Sequence, residues 1–461
     1  MPELPEVETV KNVLEELTLG KTITNVGILR MQTIEGDTNE FVNKVKGATI
    51  SSFERIGKFI IFHLSNKNVI ISHLRMEGKY FLRNETDKLT KHDLVFFDFS
   101  DHTRLVYNDT RRFGRMNSEN EENYKEVKPL NNVGPDPFMM KDVSILVKAF
   151  KNKSIAIKTA LLDQSIMSGL GNIYVDEVLF ATKIHPETPA KMISAKQLDE
   201  IWKQSKITLQ KAINAGGSTI KSYHPKEGIS GNFQVSLEVY GKKDSSCVRC
   251  GTKLRKIFVN GRGTTYCPKC QKNPGIPALF GVTGPIGAGK STVSDLIAKH
   301  GIVHLDCDEI VHELYKTKEL QNRLSKLIPE LKITNGDIDR VWLKNYLIEN
   351  PNKKRQLEKI VHKQVVDEVE NRLKHSSKPI VLEATFLFET DLYLLCDKTF
   401  YVDAPKEKQI EHLNNRNDDV EKALRLNANF NKENIKKATH VIVNDKDVAN
   451  LEKQINSFFG K

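Results

Sequence analysis

Short β-rich runs alternate with polar turns over the first 150 residues of the chain. They occupy residues 56–64, 69–74, 93–99 and 104–108, are rich in β-branched and aromatic side chains, and are separated by polar turns. Short β-rich runs bounded by polar turns are typical of strands. The pattern therefore predicts a β-sandwich or barrel, preceded by an N-terminal helix.

The pattern becomes helical after a cluster of Asn, Gly and Pro at residues 131–137, which predicts a linker between domains. An apolar-periodic segment at 154–165 is followed by a Gly-rich turn at 168–171 and a second helical segment at 173–181. Asn172 stands where an N-cap is expected. The amides of such a turn and of the following helix can hold a phosphate, so this region is a candidate DNA-docking element.

A third pattern begins with an apolar run at residues 279–283, which predicts a buried strand. It leads into Gly-Pro-Ile-Gly-Ala-Gly-Lys-Ser at 284–291, and a helix is predicted over 292–299. A strand, a Gly-x4-Gly-Lys-Ser loop and a helix in this order form a P-loop, so we predict an α/β domain with a parallel sheet. The candidate ATP-binding residues here are Gly284, Pro285, Ile286, Gly287, Ala288, Gly289, Lys290, Ser291 and Thr292. In a P-loop the amides cradle phosphates, the lysine bridges the β- and γ-phosphates, and Ser291 would ligate Mg²⁺.

Four of the six cysteines form two Cys-x2-Cys pairs separated by sixteen residues. These are Cys247, Cys250, Cys267 and Cys270. The spacing predicts a four-thiolate zinc site, with two disulfides as the alternative. Between the pairs, Asn-Gly at 260–261 separates two β-rich runs and predicts a hairpin with Arg262 at its tip. Arg262 is then either a DNA-phosphate contact or a solvated surface charge.

Length and charge place further bounds on the chain. Its 461 residues are enough for about three domains. Of the net charge of +11, residues 1–200 carry −1, residues 201–278 carry +11 and residues 279–461 carry +1. Because the excess positive charge is confined to residues 201–278, we expect this segment to contact phosphates. No run of about 20 apolar residues and no signal-peptide pattern is present, which predicts a cytoplasmic protein with no membrane partner.

The first residues carry candidate chemistry of their own. If Met1 is removed, Pro2 has a free secondary amine, whose pKa of about 8 leaves roughly a tenth of it unprotonated at neutral pH. Such an amine can attack a sugar aldehyde carbon and form an iminium, with Glu3 beside it as acid or base. A plain helix start, with Pro5 at the first helical position, is the alternative.

Taken together, residues 1–272 resemble bacterial formamidopyrimidine-DNA glycosylase, a base-excision enzyme for oxidised purines. The resemblance rests on residues 2–9 (Pro-Glu-Leu-Pro-Glu-Val-Glu-Thr), Gly57-Lys58, residues 73–78 (His-Leu-Arg-Met-Glu-Gly), 111–114 (Arg-Arg-Phe-Gly), 171–174 (Gly-Asn-Ile-Tyr), 239–241 (Val-Tyr-Gly) and the four cysteines. It implies a β-sandwich, a helix–two-turn–helix domain and a zinc-finger hairpin. Thr110 departs from the family, which usually has proline there.

The resemblance also implies roles for individual residues. Pro2 would attack C1′ of the damaged nucleotide, and Glu3 would donate the proton that helps to open the sugar. The iminium makes β- and δ-elimination easy, so the family is both glycosylase and lyase on double-stranded DNA with oxidised purines, such as 8-oxoguanine and formamidopyrimidines, or abasic sites. Lys58 would contact the nucleotide near the reacting sugar, and Asn172, Lys221 and Arg262 would contact phosphates. Met76, Arg111 and Phe113 resemble the family's void-filling trio; core packing is the alternative for Met76 and Phe113.

Residues 279–461 resemble dephospho-CoA kinase. The match rests on the P-loop, on Asp306-Cys307-Asp308 after a second predicted strand at 302–305, on Leu387-Phe388-Glu389, on Arg416 in a polar run like the family's lid, and on Val441-Ile442-Val443-Asn444. The resemblance implies transfer of phosphate from ATP, with Mg²⁺, to the 3′-hydroxyl of dephospho-CoA. Asp308 would be the base and Arg416 an ATP contact. For Asp306 and Asp308 a helix N-cap is the alternative.

This half departs from its family at three places. Lys363 follows His362 where proline is usual, His312 replaces an arginine expected after the Asp-x-Asp pair, and a second lid arginine is missing. These positions bear on substrate binding and lid closure more than on the phosphate chemistry.

The sequence therefore predicts a bifunctional enzyme. The expected domains are a catalytic β-sandwich (1–132), a helix–two-turn–helix domain (138–235), a zinc finger (236–272), a linker (273–278) and a P-loop kinase domain (279–461). One alternative is a glycosylase whose P-loop half is a kinase for another substrate or a DNA-stimulated ATPase. Another is a DNA-binding module without glycosylase activity.

Overall fold

The computed structural model describes residues 2–216, 237–334, 336–415, 420–421 and 433–460. The chain divides into two compact units, Met1–Asn273 and Pro274–Lys461. Each unit has its own clusters of buried apolar side chains. The finer domain boundaries expected within the first unit stay predictions.

The first unit begins with two helices and eight strands. These are α1 (Leu4–Thr18), β1 (Ile23–Ile28), α2 (Thr38–Val45), β2 (Ile50–Ile56), β3 (Phe59–Leu64), β4 (Asn68–His73), β5 (Lys79–Asn84), β6 (Asp93–Phe99), β7 (Thr103–Asn108) and β8 (Arg115–Asn120). Antiparallel pairing gives two four-stranded sheets, β1-β6-β7-β5 and β2-β3-β4-β8. The predicted β-sandwich is confirmed, and one face of α1 packs into its core through Val7, Val10 and Leu14.

The apolar run at 56–64 is a strand end, a turn and a strand rather than one strand. β2 and β3 form a hairpin in which Ile56 pairs with Phe59, leaving Gly57 and Lys58 as its two-residue turn. Gly57 has φ +57°, a conformation that glycine adopts without steric cost. The turn places Lys58 at a hairpin tip.

Within the described residues, four helices follow the sandwich. They are α3 (Ser144–Phe150), α4 (Ile157–Leu161), α5 (Asn172–Ala181) and α6 (Ala195–Asn214). The helix expected over 154–165 is shorter, because Asp163 accepts hydrogen bonds from the amide (3.1 Å) and hydroxyl (2.6 Å) of Ser165 and so forms a turn there. Residues 173–180 of α5 are all buried, which makes α5 the central helix of this group.

The predicted hairpin after the first cysteine pair is present. It consists of β9 (Arg255–Val259) and β10 (Arg262–Tyr266), paired antiparallel. Asn260 and Gly261 join them with φ of +47° and +73°, as a two-residue turn with positive φ at both positions requires.

The second unit is built on a five-stranded parallel sheet. Its strands are β11 (Leu279–Thr283), β12 (Val303–Asp306), β15 (Ile380–Glu383), β16 (Lys398–Asp403) and β17 (His440–Val443), and a short antiparallel ribbon consists of β13 (Ile333–Thr334) and β14 (Asp337–Ile338). The sheet order is β12-β15-β11-β16-β17. The helices for which the structure gives both ends are α7 (Lys290–Ala298), α8 (Cys307–Tyr315), α9 (Lys318–Leu327), α10 (Arg340–Glu349), α11 (Pro351–His375), α12 (Leu392–Leu395), α13 (Lys406–Asn415), α14 (Asn434–Lys437) and α15 (Val448–Phe459). The predicted α/β P-loop fold is confirmed, and the P-loop follows β11 at the edge where the parallel strands end together.

Among the described residues, no helix has both the length and the apolar character needed to cross a membrane.

Two candidate active sites

Glu3 lies at the amino terminus of α5. Its carboxylate accepts hydrogen bonds from the amides of Gly171 (2.7 Å), Ile173 (2.8 Å) and Tyr174 (3.3 Å). Amides at a helix start have no partner within the helix, so a carboxylate from elsewhere in the chain can cap it. The prediction that Asn172 is the N-cap is therefore wrong. Gly171 holds that position, and the Glu3 carboxylate accepts the hydrogen bonds of the free amides. A Cβ on Gly171 would lie 2.4 Å from Cδ of Glu3, so only glycine allows this approach.

Burial controls the charge of this site. Glu3 is only 2% exposed and Lys58 only 5%. Burial raises the pKa of Glu3 to about 7, although the charge of Lys58 opposes the rise. Burial also lowers the pKa of Lys58 against the opposing effect of Glu3, and Arg262 lowers it further. Glu3 can therefore hold or release a proton near neutral pH, with Lys58 close to it.

Further hydrogen bonds fix the two buried groups. Glu6 accepts from the amide of Glu3 (2.8 Å) and from the hydroxyl of Tyr174 (2.7 Å). Nζ of Lys58 donates to the carbonyl of Leu170 (2.7 Å). Pro2 is half-buried and directly precedes Glu3, so the backbone carries its nitrogen to the edge of this cluster.

A buried ion pair holds the hairpin of the zinc segment against α5. Nζ of Lys158 and Oδ1 of Asp176 are 2.6 Å apart, and both side chains are fully buried. Lys158 also donates to Oγ1 of Thr264 (2.8 Å), while Asp176 accepts from the amide of Thr265 (2.9 Å). Burial raises the pKa of Asp176 to about 6, and the charge of Lys158 opposes that rise. The pair therefore links two helices to β10.

Other residues of α5 bind the same segment. Nδ2 of Asn172 donates to the carbonyl of Gly263 (2.9 Å), the residue that follows the exposed Arg262. The carboxylate of Glu177 accepts from the amides of Glu238 (2.8 Å) and Val239 (2.9 Å), where the zinc segment begins. The position of Arg262 is thus fixed relative to the helix that Glu3 caps.

The four cysteines of the zinc segment lie together. Their sulfur atoms are all within 4.8 Å of one another, with separations of 3.9 Å for Cys247–Cys270 and 3.5 Å for both Cys250–Cys267 and Cys250–Cys270. Tetrahedral Zn²⁺ with Zn–S bonds of about 2.3 Å needs sulfurs about 3.8 Å apart. The cluster therefore fits one zinc ion.

Met76, Arg111 and Phe113 lie on two exposed turns. Met76 is 36% and Phe113 50% exposed, so core packing does not account for them. The guanidinium carbon of Arg111 is 5.3 Å from the centre of the Phe113 ring. Oγ1 of Thr110, where the family usually has proline, donates to the carboxylate of Glu77 and so joins the two turns.

A buried carboxylate shapes the second of these turns. Asp109 is completely buried and accepts hydrogen bonds from the amides of Arg111 (2.9 Å), Phe113 (2.9 Å) and Gly114 (2.8 Å). With three amides bound to one carboxylate, the turn presents its side chains in a fixed arrangement.

The P-loop of the second unit has the expected geometry. Gly289 has φ +93°, and a Cβ there would lie 2.4 Å from Nδ2 of Asn444, so glycine is required. α7 begins at Lys290, directly after the loop. The hydroxyl of Ser291 donates to Oε1 of Glu383 (2.9 Å), the last residue of β15. A hydroxyl and a carboxylate so placed are suitable ligands for Mg²⁺.

Asp306 and Asp308 have different positions. Asp306 caps α8 by accepting from the amide of Asp308 (2.8 Å), so the N-cap interpretation is right for Asp306. Asp308 lies in the first turn with its side chain partly exposed. Partial burial raises its pKa, the charge of Asp306 adds to the rise, and Lys290 opposes it. The Asp308 carboxylate therefore lies near the P-loop lysine.

A cavity of about 360 Å³ adjoins the P-loop. Its lining includes Gly289, Thr292, His412, Asn444 and Lys446. Nδ2 of Asn444 donates to the carbonyl of Ala288 (2.9 Å), and Nδ1 of His412 is 2.8 Å from the carbonyl of Gly287. The cavity thus has a polar wall joined to the phosphate loop.

Sequence reasoning found some of these groups and missed others. Lys221 and Arg416 lie outside the described residues. The pair Lys158–Asp176 and the strand-terminal Glu383 were not predicted. A signal was present for each, because a charged residue inside an apolar helical segment or at the end of an apolar strand needs a buried partner.

Lys158→Met should destabilise the first unit by about 3–5 kcal/mol, because it leaves Asp176 buried without its counter-charge. Hydrogen–deuterium exchange of the peptide that contains α5, followed by mass spectrometry, measures this opening. The matched control is Lys153→Met, which removes a partly exposed pair with Asp163 (3.4 Å) and should cost under about 1 kcal/mol. Equal effects of the two substitutions would contradict a dominant role for the buried pair.

Family models match both units. Residues 1–116 match the formamidopyrimidine-DNA glycosylase N-terminal domain, residues 133–224 its H2TH domain, and residues 245–273 a zinc finger found in FPG and IleRS. Residues 278–450 match dephospho-CoA kinase.

Relatives and solved structures agree for the first unit. The formamidopyrimidine-DNA glycosylase of Ligilactobacillus salivarius (strain UCC118) is 46% identical over 275 residues, which is 59% of this chain and 99% of the relative. That of Bacillus subtilis (strain 168) is 47% identical over 274 residues, again 59% and 99%. Two crystal structures of the Lactococcus lactis glycosylase are similar to this unit. The structure bound to DNA with an abasic site has a TM-score of 0.55 at 35% identity, and the structure bound to DNA with N7-benzyl-Fapy-dG has a TM-score of 0.56 at 36% identity. Each comparison covers 59% of this chain and 100% of the solved chain. The chain therefore belongs to the formamidopyrimidine-DNA glycosylase family and carries a dephospho-CoA kinase domain after its zinc finger.

Proposed function

We propose that the first unit excises oxidised purines from double-stranded DNA and cleaves the resulting abasic site, and that the second unit phosphorylates the 3′-hydroxyl of dephospho-CoA. The observation that carries the first activity is the cluster of Glu3, Lys58 and the α5 amides, with Pro2 at its edge. An amine nucleophile next to a carboxyl group with a pKa of about 7 is the pair that Schiff-base chemistry at a sugar needs.

In the proposed reaction, unprotonated Pro2 attacks C1′, the glycosidic electron pair leaves with the base, and the departing base takes up the proton that the Pro2 nitrogen loses. Protonated Glu3 donates its proton to the ring oxygen of the sugar as the ring opens. The C1′–N bond then becomes an iminium, which acidifies C2′. Loss of a C2′ proton to solvent expels the 3′-phosphate by β-elimination, and loss of a C4′ proton to solvent then expels the 5′-phosphate by δ-elimination. Lys58, held at the hairpin tip, would bind the nucleotide beside the reacting sugar.

The positions of the exposed groups support a set of proposed DNA contacts. Met76, Arg111 and Phe113 would fill the space that the extruded nucleotide leaves, because apolar and planar groups compensate for lost stacking. Arg262 and Asn172 would bind the neighbouring phosphates from a hairpin that α5 and zinc hold in place, with Lys221 in support. Bound zinc would supply a rigid crosslink and no step of the reaction.

In the second unit, the loop amides and Lys290 would bind the phosphates of ATP, and the cavity that Asn444 lines would take the adenine. Ser291 and Glu383 would hold Mg²⁺, which neutralises phosphate charge when bound. Asp308 would accept the proton of the acceptor's 3′-hydroxyl. Its raised pKa fits a group that takes up a proton during transfer. Arg416 would complete the lid.

Borohydride reduction tests the nucleophile. With DNA that contains 8-oxoguanine, the wild-type chain should form a stable covalent adduct, because reduction fixes the iminium. Pro2→Gly and a chain that retains Met1 should lose the adduct. Persistence of the adduct with Met1 in place would contradict the assignment. DNA binding without any adduct in the wild type would favour a binding module.

The pH profile of single-turnover excision tests Glu3. The negative charge of Glu6 is one of the groups that raise the pKa of Glu3, so Glu6→Gln should lower that pKa. We expect two breaks in the wild-type profile, one near pH 7 from Glu3 and one from the Pro2 amine. Only the Glu3 break should move to lower pH in the variant, and the other serves as an internal control. An unmoved or raised break would contradict the role of Glu3.

Cys267→Ser should remove the zinc ion and free the hairpin that carries Arg262. DNA affinity, measured by fluorescence anisotropy, should fall at least about tenfold because phosphate contacts are lost. Phosphate transfer to dephospho-CoA should stay near the wild-type rate. Cys396→Ser in the second unit is the control and should retain zinc. Loss of both activities in Cys267→Ser would contradict independent units.

Asp308→Asn should lower phosphate transfer to dephospho-CoA by roughly 10²–10⁴-fold, the range typical of a lost general base, with ATP affinity nearly unchanged. Asp367→Asn, on the exposed side of α11, is the control. Full activity of Asp308→Asn would refute the base. If the wild type transfers phosphate only to another acceptor, that acceptor replaces dephospho-CoA in the proposal. If DNA stimulates ATP hydrolysis instead, the second unit is a DNA-dependent ATPase.

A further inference from the structure

An arginine of the second unit is held by a histidine rather than by an acid. Nη2 of Arg340, the first residue of α10, lies 2.9 Å from Nε2 of His312 on α8. A guanidinium can only donate, so the imidazole nitrogen accepts, and His312 is neutral with its proton on Nδ1. The contact therefore orients the guanidinium without compensating its charge.

Other arginines of this unit form ion pairs with acidic residues, whereas among the described residues Arg340 does not. Arg323 pairs with Glu319 at 2.9 Å, and Arg372 pairs with Glu368 at 2.8 Å. Within the part of the chain that the structure describes, no carboxylate lies within ion-pair distance of Arg340. The carboxylate of the adjacent Asp339 accepts from the amide of Trp342 (2.9 Å) and so caps α10. Arg340 is exposed, and its remaining N–H groups can bind an anion.

The position of this pair relative to the candidate base suggests the anion. His312 follows Asp308 by four residues on α8, so the two side chains lie on one face about one helical turn, or about 5.4 Å, apart. The guanidinium of Arg340 contacts the ring of His312, one turn from Asp308 on this face. A ribose whose 3′-hydroxyl meets Asp308 would direct its 5′-substituent along the same face. In dephospho-CoA that substituent is a diphosphate, a bidentate partner for a planar guanidinium.

We propose that Arg340 binds the diphosphate of the acceptor and that His312 is its positioning residue, taking the place of the arginine usual at that position. The proposal rests on the proposed kinase function and names the part of dephospho-CoA that the enzyme recognises. Arg340 should not strengthen the binding of a neutral acceptor such as adenosine, which has the same 3′-hydroxyl and no phosphate.

Steady-state kinetics of the full chain test this. Arg340→Ala should raise the KM for dephospho-CoA about tenfold, the loss expected for hydrogen bonds to a charged group, with kcat and the KM for ATP within about twofold of the wild type. The slow reaction of adenosine should be unaffected. Arg323→Ala is the matched control and should change none of these values. An unchanged KM for ATP also shows that the variant is folded.

Variants of His312 separate positioning from bulk structure. His312→Ala should raise the KM for dephospho-CoA about threefold, and His312→Gln, whose side-chain oxygen can accept from Arg340, should restore it. An unchanged KM for dephospho-CoA in Arg340→Ala, or an equal loss with adenosine, would overturn the proposal while leaving the kinase function intact. If the wild type does not phosphorylate dephospho-CoA at all, the proposed function itself fails.

Discussion

The arrangement of the first unit depends on a carboxylate held at the start of a buried helix. Glu3 is almost completely buried, and an ion in that position is costly unless amides and a counter-charge surround it. The α5 amides and Lys58 meet that need. The same contacts attach the amino terminus of the chain to a helix about 170 residues away in sequence. Because these contacts offset only part of the cost of burial, the pKa of Glu3 is raised to about 7. Glu3 can therefore exchange a proton at neutral pH.

The helix that Glu3 caps also positions the groups proposed to bind DNA. Asn172, Asp176 and Glu177 on α5 each contact the zinc segment. One helix therefore sets the distance between the proposed nucleophile at one end and Arg262 on the hairpin. A rigid reference of this kind suits a reaction in which a sugar carbon must meet a nitrogen within van der Waals contact. In the second unit α7 has a similar place, because its first residues and the preceding loop are proposed to bind the phosphates of ATP.

How far the sequence predicts this arrangement depends on the range of each interaction. Residues 93–99 and 279–283 are strands as expected, because short apolar runs rich in β-forming residues reflect local burial. The hairpin turn, the P-loop and the four cysteines are likewise local patterns. The cap on α5 was assigned to Asn172 because only neighbouring residues could be considered, whereas Glu3 is brought there by tertiary packing. The turn at Gly57-Lys58 was missed because the apolar pattern continues across it.

The buried pair Lys158–Asp176 shows why such long-range groups are kept although they are hard to predict. Two apolar residues of similar volume would stabilise the unit equally well or better, since burying both charges costs much of what their attraction provides. Apolar contacts, however, do not fix one register. Lys158 has three partners, Asp176, Thr264 and the carbonyl of Gly263, and two of them belong to the hairpin. Sliding of β10 by one residue would leave these groups unpaired in a buried site, a penalty that an apolar pair would not impose. The ion pair therefore fixes the register of the hairpin against α5 rather than adding stability. The location of Arg262 depends on that register.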